Sequence, residues 1–433
     1  MIHMQRILNV FVLVFLACNI NAQTDVQARV LKLFPDAKLE TFDVKHHYSE
    51  SYEILIDQWL DHEDHSKGTF KQRLFLSHID RKSPMLFVTE GYAAGPRHYE
   101  LSDLLQSNQL IVEYRFFGKS VPDSTDYKYL TNEQAMQDLH RIRKAFGKIY
   151  RNEWISTGIS KGGTTCMYYK ATYPRDVKVA VPYVAPLPNA REDQRCDDLI
   201  ASVDNEECRN KLFDFQRHAL SIQDSLLSYA TADATSNGMT FNRIHGIEKA
   251  IEYAILEYPF SFWQMGYVCD AVPSEPDPRT CYNHLKMVVG IAFYSDRVIS
   301  YYEPSFYQFM TQNGYYSFMH DHLDGLIKHV KVFDNSIFAP RGVSLDYDPS
   351  YNEWVKSRLD KKGKRMIYIQ GEYDPWGACT YIPPVGKDAM LMILDQGSHR
   401  TRMASYPEDQ QEMMKKALDR WLKAPLKSSE KKS

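Results

Sequence analysis

Apolar and polar positions alternate from Tyr52 to Leu60, where Ile54, Ile56 and Trp59 supply the apolar faces. After a polar turn (Asp61 to Gly68), Thr69 to Ile79 alternates again. Two such runs predict an antiparallel hairpin. The texture then changes. Met85-Leu86-Phe87-Val88-Thr89, Leu110-Ile111-Val112, Trp154-Ile155-Ser156-Thr157-Gly158 and Val177-Lys178-Val179-Ala180-Val181 are short apolar runs. Met366-Ile367-Tyr368-Ile369 and Met390-Leu391-Met392-Ile393-Leu394 follow much later. Strands apolar on both faces, separated by helical stretches, predict a mostly parallel sheet.

The helical stretches carry a period of 3.6. Thr131 and Gln134 form a capping-box pattern, and Ala135, Leu139, Ile142 and Phe146 continue it as one stripe. A helix is predicted over Thr164 to Tyr173, stopped by Pro174, and another over Glu408 to Lys423. Between the fourth and fifth parallel runs the character is helical, over Lys211 to Tyr229, Ile247 to Glu257 and Tyr351 to Leu359. The pattern divides the chain into a core (23–187 and 361–425) with a helical cap or lid (188–360) inserted between two strands. Residues 426–433 read as a flexible tail rich in Lys and Ser.

The first residues differ from all this. Met1 to Arg6 is short and basic, Ile7 to Cys18 is apolar, and Ala22 ends a small-residue site. This is the three-part pattern of a signal peptide over 1–22, and it predicts export to the periplasm or the exterior. An uncleaved anchor and lipid attachment at Cys18 are the alternatives. No later run is long and apolar enough to span a bilayer.

Composition adds limits. Of 433 residues, 44% are hydrophobic and 25% charged, which describes a folded chain. The formal net charge of −3 gives no reason to expect nucleic acid. About 250 residues suffice for a single-core domain, so the insertion accounts for the excess length. Six cysteines follow Cys18, an even number that invites disulfides in an exported chain. Their equal spacings suggest Cys196–Cys208 and Cys269–Cys281, leaving Cys166 and Cys379 as buried thiols. No Cys or His spacing suggests zinc, and no metal or cofactor is implied.

The chemistry begins at Gly158-Ile159-Ser160-Lys161-Gly162-Gly163, which follows a strand and opens a helix. Gly-x-Ser-x-Gly in that setting predicts a nucleophile elbow, with the Lys161 backbone N–H as one oxyanion donor. A serine nucleophile needs a base and a group that orients it. Asp374 stands in the loop after one late strand and His399 after the next, giving the order Ser, Asp, His. Glu372 and Asp395 compete with Asp374 for the acid. A second oxyanion donor is expected in the loop Glu90 to Gly95, from the backbone N–H of Tyr92 or Gly91. Glu90 has two readings, a site for a substrate's free α-ammonium and a structural hydrogen-bond acceptor. From Phe293 to Phe318, ten of 26 residues are aromatic. They line a substrate site or form the lid's own core.

The elbow and Glu90-Gly91-Tyr92 resemble the secreted tripeptidyl aminopeptidases, serine peptidase family thirty-seven. Asp57-Gln58-Trp59-Leu60-Asp61-His62, Glu113-Tyr114-Arg115-Phe116-Phe117-Gly118-Lys119-Ser120 and Tyr129 to Ala135 add to this. The latter stretches are also similar to prolylcarboxypeptidase and dipeptidyl peptidase II, from which Tyr114 and Lys161 depart. The resemblance spans roughly 45–400. It implies an α/β-hydrolase fold with a helical cap, and an exopeptidase releasing short peptides, often tripeptides, from free N-termini. Some members favour proline. The matching catalytic positions are Ser160, Asp374 and His399. A carboxylesterase or lipase on the same fold, and an inactive binding module, are the rival functions.

Overall fold

The computed structural model describes residues 24–43, 46–123 and 125–422. The expected signal peptide, Cys18 and the expected tail at 426–433 lie outside the described residues. Among the described residues nine strands form one sheet: β1 (Lys38–Thr41), β2 (Glu50–Trp59), β3 (Thr69–His78), β4 (Met85–Thr89), β5 (Asn108–Val112), β6 (Trp154–Ile159), β7 (Val179–Tyr183), β8 (Met366–Gly371) and β9 (Ala389–Leu394). Their order is β1-β2-β3-β5-β4-β6-β7-β8-β9. Strands β1 to β3 and the β3–β5 pair are antiparallel, and every pair from β5 to β9 is parallel. This is the α/β-hydrolase fold, a mostly parallel sheet preceded by an antiparallel hairpin.

Burial follows position in the sheet. Strands β4, β5 and β7 are buried at every residue, as central parallel strands covered on both faces must be. Edge strand β9 is only partly buried. The helices are α1 (Asp25–Leu33), α2 (Glu100–Leu105), α3 (Asn132–Phe146), α4 (Lys161–Thr172), α5 (Arg195–Ile200), α6 (Glu206–Ser221), α7 (Gln223–Ser236), α8 (Ile247–Met265), α9 (Pro278–Val288), α10 (Asp296–Gln308), α11 (Ser350–Lys362) and α12 (Glu408–Trp421). One sheet face packs on α1, α3, α4 and α11, through Val30, Ile142, Met167 and Val355. The other packs on α2 and α12, through Leu101, Met414 and Leu418. Each such apolar side chain contributes about 1.5–3 kcal/mol when fully buried.

At α3 the Thr131 side chain caps the Gln134 N–H as predicted, but the reciprocal half of the box is missing. The Gln134 amide turns instead to Asp61 and the His62 N–H, tying α3 to the β2–β3 turn.

Between β7 and β8 the chain leaves the sheet. Helices α5 to α10 enclose a separate apolar core that includes Phe215, Tyr258, Trp263 and Phe306, with Trp376 and Cys379 from the loop after β8. The single helix expected over Lys211 to Tyr229 is two, divided at Ile222. The apolar stripe runs through that break and so conceals it. Helix α8 extends eight residues past the expected Glu257, with Pro259 inside it. Proline removes the bond that would fill the Ile255 carbonyl. The Gln216 side chain supplies it, with Nε2 donating to that carbonyl at 2.7 Å.

The cysteine pairing departs from expectation. Neither Cys196–Cys208 nor Cys269–Cys281 is a disulfide; Cys208 is bonded to Cys269, linking α6 to the turn after α8. Cys281 is a buried free thiol, and the Cys196 and Cys379 sulfurs lie 3.4 Å apart. Cys196 and Cys208 sit on different helices pointing to different neighbours, so equal spacing along the chain had no spatial meaning. Cys166 and Cys379 are buried thiols, as expected.

Candidate active site

Strand β6 passes directly into α4 through Ser160, which has φ 57° and ψ −127°. A non-glycine residue there stores about 1–3 kcal/mol of backbone strain. The surroundings hold it. The Ser160 N–H donates to the Tyr183 carbonyl at 2.9 Å, and its carbonyl accepts from the Thr164 N–H at 2.9 Å. Glycine at 158 is required by contact, since a Cβ there would lie 2.6 Å from the Thr89 carbonyl oxygen and run into that of Gly162. The result is a side chain raised at the C-terminal end of the sheet, at the N-terminus of α4.

Asp374 begins the loop after β8 and is fully buried. Its Oδ1 accepts the Trp376 N–H at 3.2 Å, and its Oδ2 bonds His399 Nδ1 at 2.6 Å. That bond leaves Nε2 of His399 for another partner. Glu372 is exposed and accepts the Gln396 N–H, and Asp395 is exposed, so neither competitor is bonded to His399. The His399 N–H donates to the Gln264 carbonyl at 3.0 Å, near the end of α8.

A cavity of about 90 Å³ meets Ser160. Tyr92, Lys161, Gln264, Tyr315 and Trp376 are among its walls, so both the sheet core and the insertion build it. A larger hollow of about 550 Å³ lies at the N-terminal ends of β6 to β8, lined by Arg143, Lys170, Arg175 and Lys364. It faces the opposite edge of the sheet from Ser160.

Glu90 is buried and is not among the cavity walls. Its Oε1 accepts the Tyr99 hydroxyl at 2.6 Å, and burial pushes its carboxyl pKa up. The acceptor reading of Glu90 therefore has its partner in Tyr99. The motif around Glu113 holds the loop beside it. Glu113 accepts from the Ala94 N–H at 2.9 Å, the Ser120 hydroxyl at 2.8 Å and the Lys119 N–H at 2.8 Å, and pairs with Arg73. Arg115 is buried with Asp138 in a two-bond pair, each bond 2.7 Å.

Most of the aromatic stretch packs on itself and on the insertion's core, but Phe309 and Tyr315 reach the cavity. Tyr315 meets Trp376 with ring centroids 5.0 Å apart. Gln264 is a cavity residue that the sequence did not point to, since the helix expected there stopped at Glu257, seven residues short of it. Trp376 was missed as well, although its place two residues after Asp374 was a signal.

A strained serine between strand and helix after β6, with a bonded His–Asp pair on the ends of β8 and β9, defines the serine hydrolases of the α/β-hydrolase class. Residues 23–433 match the family described as PS-10 peptidase S37. The chain belongs to that family and is a serine-type peptidase. It is 32% identical over 363 residues to a prolyl tri/tetrapeptidyl aminopeptidase of Streptomyces mobaraensis, covering 82% of this chain and 75% of that protein. A proline iminopeptidase of Mycobacterium smegmatis is 14% identical, with TM-score 0.41 over 82% of this chain and 97% of its own. A proline iminopeptidase-related protein of Thermus thermophilus is 14% identical, with TM-score 0.37 over 86% of this chain and 99% of its own.

Proposed function

We propose that this protein is an exported exopeptidase that releases tri- or tetrapeptides from free N-termini by acyl transfer at Ser160. The observation that carries the reading is the His399–Asp374 bond beside a cavity that meets Ser160. In this mechanism Ser160 Oγ attacks the scissile carbonyl while His399 Nε2 takes its proton. The tetrahedral oxyanion is met by the backbone N–H groups of Lys161 and Tyr92. His399 then gives the proton to the departing amine, which leaves an acyl-serine. Water, deprotonated by the same imidazole, attacks the ester and frees both Ser160 and the short peptide. Asp374 holds the His399 ring with Nε2 toward Ser160 and stabilises its charged form.

The insertion acts as a lid over the strand ends. Its walls leave little volume, which suits a chain terminus better than a folded loop. The substrate preference follows the Streptomyces relative, whose name specifies prolyl tri- and tetrapeptides. Tyr315, Phe309 and Trp376 offer ring faces on which a prolyl side chain can pack.

The test compares tripeptide amides with p-nitrophenyl esters, using the unaltered chain and Ser160→Ala. Tripeptide release that disappears in Ser160→Ala is expected. Ester turnover with no peptide turnover would instead make the protein an esterase.

A further inference from the structure

The acyl-transfer reading uses Lys161 only through its backbone N–H. Its side chain is also built into the site. Lys161 is 5% exposed, and Nζ donates to the Gly91 carbonyl at 2.9 Å. The amine lies 3.8 Å from the centroid of the Tyr114 ring, with the Tyr92 and Phe117 rings at 5.6 and 5.8 Å. Burial is the one influence on its pKa and holds it well below the usual lysine range. No carboxylate among the described residues pairs with the group. Burying an amine this way is costly, and a methionine would fill the same slot without that cost. In either protonation state the amine can donate to Gly91.

That bond fixes a particular peptide. The Gly91 carbonyl and the Tyr92 N–H belong to the same planar unit, and no peptide bond among the described residues is cis. In a trans peptide the C=O and N–H point in opposite directions. Pulling the carbonyl toward Nζ therefore turns the Tyr92 N–H the other way. Among the described residues that N–H meets no acceptor, while the Tyr92 carbonyl is pinned by the Tyr114 N–H at 3.2 Å. The loop also presses on the elbow. A Cβ on Gly91 would lie 2.6 Å from Lys161 Cβ and 2.7 Å from the Gly162 nitrogen. Any rotation of this peptide is thus felt beside Ser160.

We infer that the Lys161 side chain is a positioning residue that aims the Tyr92 N–H at the oxyanion. The residue after the nucleophile would then supply one oxyanion donor from its backbone and orient the second with its side chain. The inference rests on the acyl-transfer reading of Ser160.

Lys161→Met removes the donor and keeps the bulk, and Lys161→Gln keeps an N–H donor on a shorter arm. With a tripeptide amide, Lys161→Met is expected to lower kcat about 10- to 100-fold, a misaimed donor costing less than a deleted one. KM should stay within about twofold, and Lys161→Gln should recover part of the loss. Affinity for a peptide boronate, which mimics the tetrahedral state, should fall in step with kcat, while Tm changes little, the unpaired Gly91 carbonyl offsetting the relief of a buried amine. A folded Lys161→Met with kcat within about threefold of the unaltered chain would overturn the proposal. So would a loss of kcat without a matching loss of boronate affinity. Fluorophosphonate labelling of the unaltered chain separates the two readings: no label at Ser160 would sink the acyl-transfer mechanism itself, whereas labelling with an unaffected Lys161→Met would sink only the role of the lysine.

Discussion

Asp374 shows how one buried side chain does two things at once. One oxygen caps the turn at Trp376, and the other holds His399. Asp374→Asn keeps the shape but turns the amide N–H toward the ring and favours the wrong tautomer. We expect kcat on a tripeptide amide to fall by about 10³–10⁴ with KM little changed, read by steady-state kinetics. Gly158→Ala fails for a different reason, because its Cβ meets the Thr89 carbonyl. Its expected outcome is a lowered Tm together with lost activity, measured by calorimetry, where Asp374→Asn lowers activity alone. At this scale the sequence was informative. Ser160, Asp374 and His399 each carried a local cue, a turn motif or a strand-end acid or base, and the fold brings them to one edge of the sheet. The role of Glu90 was not legible. Its partner Tyr99 is nine residues away, and nothing local says which side of the loop the carboxylate faces.

At the scale of elements, Gln216 fills the gap that Pro259 opens in α8, and the helix runs on to the site. Its last turn carries Gln264, whose carbonyl holds the His399 N–H. Gln216→Leu leaves the Ile255 carbonyl unpaired, at a cost of about 1–3 kcal/mol. Urea unfolding should show that loss, and kcat should fall with it as the His399 loop loosens. The amide that compensates for Pro259 lies 43 positions earlier (259 − 216) and on another helix. Periodicity cannot see such a partner, and for the same reason it could not pair Cys208 with Cys269 across 61 residues.

The same helix carries a pH-sensitive group. Glu257 is buried, accepting from the Tyr316 hydroxyl at 2.7 Å and the Ser261 hydroxyl at 2.9 Å. Burial pushes its pKa from 4.5 up to about 7. As pH rises through that window the unfolded chain releases this proton while the folded protein keeps it. The native state binds more protons there, so stability falls with rising pH from about 4.5 to about 7. The contribution is fully present below the window and lost above it. Glu257→Gln should flatten the decline in Tm between about pH 5 and pH 7. An unchanged slope would place the titrating group elsewhere.

Across the whole molecule two apolar cores meet at one cavity. The sheet core supplies Ser160 to the cavity, while Asp374 and His399 stand at the β8 and β9 ends of the same sheet edge and are not among its walls. The insertion supplies Gln264, Phe309 and Tyr315, and its core takes in Trp376 from the acid's own loop. The mostly parallel character of the sheet was readable from strand pattern, because central parallel strands are apolar on both faces; the order of its strands was not. The site wall was not either, since it is made where residues of the insertion meet those of the sheet's strand ends. If the insertion acts as the proposed lid, it admits a chain end, and the free N-terminus is part of what is recognised. The most direct measurement is a mass-spectrometric digest of one peptide set with free and with acetylated N-termini, using the unaltered chain and Ser160→Ala. Release of tri- or tetrapeptides from the free set alone, absent in Ser160→Ala, is the predicted result. Equal cleavage of the acetylated set, or cleavage that survives in Ser160→Ala, would contradict it.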